Sequence, residues 1–130
     1  VQACLPGLKE ANGSVVFFST VAVQTGMPFH ASIAAAKGAL EGLTRSLAAE
    51  YAPAVRFNCI APSLTNTPLA GKLLATPEKE EASAKRHPLN AVGRPEDIAH
   101  MAAHLLSDSG KWITGQVIGV DGGMGSVKTN

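Results

Sequence analysis

The chain has 130 residues, of which 45% are hydrophobic and 16% charged, and its formal net charge is +1. That composition suits one globular domain with a core and excludes a disordered chain. Eleven Lys and Arg in no dense run give no electrostatic grounds for binding nucleic acid or an anionic membrane.

Residues 1–11, VQACLPGLKEA, read as the tail of a helix that Asn12 and Gly13 stop. SVVFFS at 14–19 is a continuous β-branched and aromatic run, the pattern of a strand buried on both faces of a parallel sheet. TVAVQTGMPF follows as a loop, and a helix is expected from Ala31 to Tyr51, ended by Pro53. VRFNCIA at 55–61 reads as a second buried strand, and PSLTNTPLAGKLL begins as a loop and turns helical. TPEKEEASAKRH at 76–87 is a polar helix, with Thr76 as N-cap, Pro77 at the first position and acids in the first turn. RPEDIAHMAAHLLSD at 94–108 is amphipathic, with Ile98, Met101, Ala102 and Leu105 on its buried stripe. GQVIGVDGG at 115–123 is a third strand that ends in a glycine-rich turn.

The order β-α-β-α-α-β predicts an α/β fold: a parallel sheet with right-handed crossovers between helical layers. Neither a repeat nor a linker divides the chain, so residues 1–130 read as a single domain. Three strands are few for such a sheet. A sheet that begins on a buried-type strand is expected to have lost neighbours on that side, so the domain reads as half of a larger fold.

Cys4 and Cys59 lie far apart in apolar settings and make no metal-ligand or C-x-x-C spacing, which predicts two reduced, buried thiols. His100 and His104 stand at i and i+4, but no acid or cysteine joins them, and no metal site is expected. No apolar run reaches the roughly 18 residues needed to cross a bilayer. The first residues do not resemble a signal peptide, and the expected location is the cytoplasm.

Two long segments carry a family likeness. One is GSVVFFSTVAVQTGMPFHASIAAAKGALEGLTRSLAAEYAPAVRFNCIAPSLTNTPL, the other HPLNAVGRPEDIAHMAAHLLSDSGKWITGQVIGVDGGM. Their landmarks are a strand ending in Ser-Thr, an A-A-x-K helix, N-x-I-A-P, T-P, GRPEDIA, ITGQ and VDGG, in that order. From about residue 10 to 125 the chain resembles the C-terminal half of the short-chain dehydrogenase/reductases. The resemblance implies a Rossmann-like fold, NAD or NADP as cofactor, and hydride transfer on a small-molecule carbonyl or alcohol. It also implies a tyrosine as general acid/base and a lysine one turn later that lowers its pKa and holds the nicotinamide ribose. A serine at the preceding strand end would orient the carbonyl, and an asparagine on the helix before that strand would complete a proton relay.

Carried onto this sequence, the lysine is Lys37, whose ammonium in an Ala-rich helix needs a partner such as a ribose hydroxyl. The serine position falls on Thr20, which keeps a hydroxyl; alternation along the strand points Ser19 the other way. The tyrosine position falls on Ile33, which has no proton to give, and Tyr51 lies about five turns further along the helix. His30, three residues before Ile33 and seven before Lys37, shares their helix face and is the candidate replacement acid. At the helix start it could equally cap or face water, and His87, His100 and His104 read as structural or solvent-facing. Pro62, Ser63, Leu64, Thr65 and Thr67 match the family's P-G-x-x-x-T segment, which touches the nicotinamide amide and the phosphates. Ser63 replaces the glycine, which predicts a less close backbone approach. Gly122, Gly123 and Gly125 read as a turn.

The family's asparagine and phosphate loop, with the residues that tell NAD from NADP, are expected to precede residue 1. Two functions remain open. One is an NAD(P)-dependent oxidoreductase in its complete form, with this chain truncated and impaired. The other is a non-catalytic assembly or binding module derived from the same family. Self-association is expected, through the exposed sheet edge or through helix 31–51, where Ala34, Ala35, Gly38 and Gly42 allow close helix approach.

Overall fold

The structure, a computed structural model, describes residues 1–128. Three strands, β1 (Ser14–Phe18), β2 (Arg56–Pro62) and β3 (Val117–Val120), form one parallel sheet in the order β1-β2-β3. The helices are α1 (Leu5–Glu10), α2 (Ala22–Thr25), α3 (Ala31–Tyr51), α4 (Pro77–Ala84) and α5 (Pro95–Leu106). Register pairs Val16 with Asn58 and Ile60 with Ile118. The expected Rossmann-like arrangement of a parallel sheet with flanking helices is present: α3 and α5 each pack against both β1 and β2.

β2 runs through the centre, and Phe57, Asn58, Cys59, Ile60 and Ala61 are all buried. Its Phe57 joins Val55 and Ala48 in a core that Leu8, Phe17, Leu47 and Tyr51 surround. Phe17 and Phe57 stack with ring centroids 6.4 Å apart. The apolar pattern predicted β1 to be buried on both faces as well. Instead, β1 is a sheet edge that pairs only with β2, so Val15, Val16 and Phe17 are half-buried and Phe18 is exposed.

α3 spans the residues predicted for it, and α5 turns Ile98, Met101, Ala102 and Leu105 inward as its periodicity required. Thr76 caps α4, accepting the Lys79 N–H at 3.4 Å. The segment expected to be a plain loop contains α2: Thr20 Oγ1 accepts the Ala22 N–H at 3.3 Å, and Gly26 at φ +63° ends the turn. One helical turn is too short to leave a periodic signal.

Two polar side chains of β2 tie down the segment after α5. Arg56 donates from Nη1 to the carbonyls of Leu105 and Gly110, each at 2.8 Å, and of Ile113 at 3.3 Å. Its Nη2 reaches the Ser107 carbonyl at 3.3 Å, so a cation meets the negative end of the helix dipole. Fully buried Asn58 donates to the Ile113 carbonyl at 2.9 Å and accepts the Gln116 N–H at 3.1 Å. Among the described residues, no helix is long and apolar enough to cross a membrane, and no three His, Cys, Asp or Glu cluster as metal ligands would.

Candidate active site

A cleft of about 630 Å³ opens at the carboxyl ends of β1 and β2, where open α/β sheets bind ligands. Parallel strands point their carboxyl ends the same way, so two segments 42 residues apart in sequence (from Thr20 to Pro62) meet there. Thr20, His30, Ile33, Pro62, Ser63, Leu64, Thr65 and Thr67 all line the cleft. Every candidate site residue is therefore on one wall or another, except Lys37.

Thr20 is half-buried. Its oxygen accepts the Ala22 N–H, which leaves the hydroxyl proton free to donate to a carbonyl oxygen. Ser19 points inward, as alternation required: it is buried and donates to Glu41 Oε1 at 2.6 Å. Behind it the buried Cys59 thiol is pushed above its ordinary pKa, chiefly by desolvation. Cys4, expected to be buried as well, is exposed, because the turn Gln2–Cys4 at the start of the chain buries no residue.

Lys37 is half-buried, and its Nζ donates to the Phe18 carbonyl at 2.8 Å. The partner that the sequence required for this ammonium is supplied by the end of β1, without any ligand. Two N–H bonds remain on the ammonium.

His30 is exposed at the start of α3, and its side chain does not cap the helix. Its Nδ1 lies 2.7 Å from the Pro28 carbonyl. A carbonyl only accepts, so Nδ1 carries hydrogen, and the neutral ring keeps Nε2 as an acceptor. Ile33, 42% exposed, offers the same cleft an apolar wall.

The loop after β2 is held from both sides. The Pro62 carbonyl accepts the Val21 N–H at 2.9 Å, and the Leu64 carbonyl accepts the Gly93 N–H at 3.1 Å. Thr65 Oγ1 donates to the Ser63 carbonyl at 3.0 Å.

His87, expected to be structural or solvent-facing, is 3% exposed and lines the cleft. Its Nε2 lies 2.8 Å from Ser63 Oγ and its Nδ1 lies 2.9 Å from the Ser83 carbonyl. No sequence signal announced this pair: Ser63 and His87 are 24 residues apart, and no local periodicity links them. Leu69, Leu73, Arg86 and Met124 complete much of the remaining wall.

A family model described as enoyl-(acyl carrier protein) reductase matches residues 1–125. The 2-(S)-hydroxypropyl-CoM dehydrogenase 3 of Xanthobacter autotrophicus is 39% identical over 132 residues, covering 97% of this chain and 52% of that protein. The inactive 2-(S)-hydroxypropyl-CoM dehydrogenase 2 of the same organism is 40% identical, covering 97% of this chain and 57% of its own length. The crystal structure of a gluconate 5-dehydrogenase from Burkholderia cenocepacia in complex with NADP and tartrate has a TM-score of 0.87 at 26% identity, covering 98% of this chain and 51% of that one. The chain thus spans about half the length of the relatives it matches. With the match running along nearly all of its residues and through its parallel sheet, the chain belongs to the short-chain dehydrogenase/reductase family.

Proposed function

We propose that this chain carries the nicotinamide and substrate side of an NAD(P)-dependent oxidoreductase acting on a small-molecule carbonyl or alcohol. One observation supports this above the others. The cleft at the carboxyl ends of β1 and β2 gathers a strand-end hydroxyl, Thr20, and Pro62, Ser63, Leu64, Thr65 and Thr67 of the following loop on one cavity. The cleft lining suits the nicotinamide end of a dinucleotide, with an apolar wall from Ile33 and Leu64 and hydroxyls from Thr65 and Thr67. Lys37, outside that lining, keeps two N–H bonds that would hold a ribose. When bound, that cofactor supplies or accepts the hydride.

The chain's own residues would do the rest. Thr20 donates its hydroxyl proton to the carbonyl oxygen and so fixes the face that reacts. Ile33 excludes water beside it but moves no proton. His30 is the group left to accept a proton in alcohol oxidation, at Nε2, because Nδ1 is engaged with Pro28. Residues 1–130 are then one partial domain of a longer, cytoplasmic homo-oligomer, with α3 or the β1 edge at the subunit contact.

Calorimetric titration with NADH and NADPH, on this chain and on a form as long as its relatives, tests the proposal. Binding that weakens in Lys37→Met is the expected result. Failure of both forms to bind either dinucleotide would overturn it.

A second function has specific support. Isoleucine at the family's tyrosine position removes its acid, and a relative 40% identical carries "inactive" in its name. On that account the chain is a non-catalytic binding or assembly module. Dinucleotide binding without turnover of any carbonyl substrate would favour it.

A further inference from the structure

One contact in the cleft, between Ser63 and His87, is not explained by cofactor binding. Ser63 Oγ and His87 Nε2 lie 2.8 Å apart, and His87 Nδ1 lies 2.9 Å from the Ser83 carbonyl oxygen. Because a carbonyl can only accept, Nδ1 carries hydrogen, and a neutral ring turns a bare Nε2 toward the serine. The Ser63 hydroxyl then donates to Nε2. Nucleophile, base and an acceptor that orients the base stand in line, which is the arrangement that activates a serine. The Ser83 carbonyl occupies the place of the usual carboxylate and fixes the tautomer without a formal charge.

The surroundings hold that geometry. His87 is 3% exposed, and a Cβ added to Gly122 would stand 3.3 Å from the His87 Cβ, so backbone packs against the ring's base. Met124 Sδ lies 3.2 Å from Ser63 Oγ. The hydroxyl has one proton, and the ring nitrogen at 2.8 Å is a stronger acceptor for it than the thioether sulfur. Ser63 is half-buried on the wall of the cleft, with Val21, Leu69 and Leu73 also on its lining. The N–H of Leu64, the residue that follows the serine, donates to no protein acceptor among the described residues. A free N–H after a nucleophile is a donor for a developing oxyanion.

We propose that Ser63 and His87 form an acyl-transfer centre that hydrolyses small apolar esters. Ser63 Oγ bonds to the acyl carbon while its proton passes to His87 Nε2. The ester C–O bond breaks, and the departing alkoxide takes that proton. Water adds to the acyl-serine, giving a proton to Nε2; the carboxylic acid leaves, and the proton returns to Ser63. Water is the one co-reactant, and no dinucleotide is involved, so this activity stands apart from hydride transfer.

The test uses the full protein with p-nitrophenyl acetate and p-nitrophenyl butyrate, and separately a fluorophosphonate label mapped by peptide mass spectrometry. Nitrophenol release above buffer and a phosphonyl adduct on Ser63 are expected. Ser63→Ala should lose both, and His87→Gln should slow release about 10²- to 10⁴-fold with an unchanged circular dichroism spectrum. Because His87 is buried, adduct mapping on the unaltered protein decides the matter if His87→Gln does not fold. Absence of an adduct on Ser63, or hydrolysis by Ser63→Ala at the parent rate, would overturn the proposal.

Discussion

Arg56→Met removes a guanidinium that bridges the start of β2 to the segment after α5. The cost follows from what each abandoned carbonyl keeps. Leu105 O still accepts Ser14 Oγ at 2.9 Å, and Ile113 O still accepts Asn58 Nδ2 at 2.9 Å. Gly110 O keeps the Ile113 N–H at 3.0 Å, and Ser107 O keeps the Gly110 N–H at 3.1 Å. No carbonyl is orphaned, so the full desolvation penalty does not apply. What disappears is two short charge-assisted bonds at 2.8 Å and two weak ones at 3.3 Å. At about 1.5 kcal/mol for each short bond, the low end for charged donors, the loss is about 3 kcal/mol. Arg56 is only half-buried and methionine keeps much of its stem packing, which brings the expectation to about 2–3 kcal/mol. For a chain of this size that lowers Tm by about 6–12 °C. Arg56→Lys keeps the charge but not the fork and should lose about half as much. Urea denaturation followed by circular dichroism measures both. A change under about 0.5 kcal/mol in Arg56→Met would refute the bridge, and one well above about 4 kcal/mol would mean that the carbonyls do lose their second partners.

Ile33→Tyr puts a phenol on a cleft wall whose present side chain is 42% exposed, so stability should move by no more than about 0.5 kcal/mol. In the complete protein, carbonyl reduction should rise about 10²- to 10⁴-fold; an unchanged rate with dinucleotide bound would count against Thr20 and Ile33 flanking the reacting oxygen. Gly110→Ala should cost about 1–3 kcal/mol, because its Cβ would lie 2.6 Å from the His104 carbonyl oxygen and 3.0 Å from the Leu105 Cα; a neutral outcome in thermal melts would contradict the tight turn. A chromogenic disulfide should titrate one thiol in the folded protein, exposed Cys4, and two after denaturation, with two fast thiols in the native state as the adverse result. Since burial raises the Cys59 pKa in the folded state, its contribution to stability is complete below the ordinary thiol pKa of about 8.5 and is lost as pH rises further. Melting temperatures across that alkaline range read this directly.

Much of this architecture was legible because local chemistry dictated it. The apolar run of β2 required burial on both faces and received it; Thr76, Pro77 and the first-turn acids located the start of α4. β1 has the same kind of run, yet its exposure depends on neighbours beyond its own residues, and no run of valine and phenylalanine encodes its place in the strand order. Motif likeness picked out Thr20, Pro62, Ser63, Leu64, Thr65 and Thr67 as candidates, and parallel pairing brings them to one cleft. The Ser63–His87 contact was not legible, because it depends on how α4 and the loop after it return to the end of β2.

The bond from Lys37 to the Phe18 carbonyl bears on how such chains change over time. A lysine that fastens the long helix to the tip of an edge strand is useful to the fold whether or not any reaction takes place beside it. The neighbouring Ile33 position has no such second employment: it faces the cleft, and a tyrosine there would serve chemistry alone. If selection on turnover relaxed, the tyrosine would be the first of the two to drift, and the lysine would stay. Lys37 alone is thus no evidence of turnover, and the identity of residue 33 is the more sensitive gauge of catalysis.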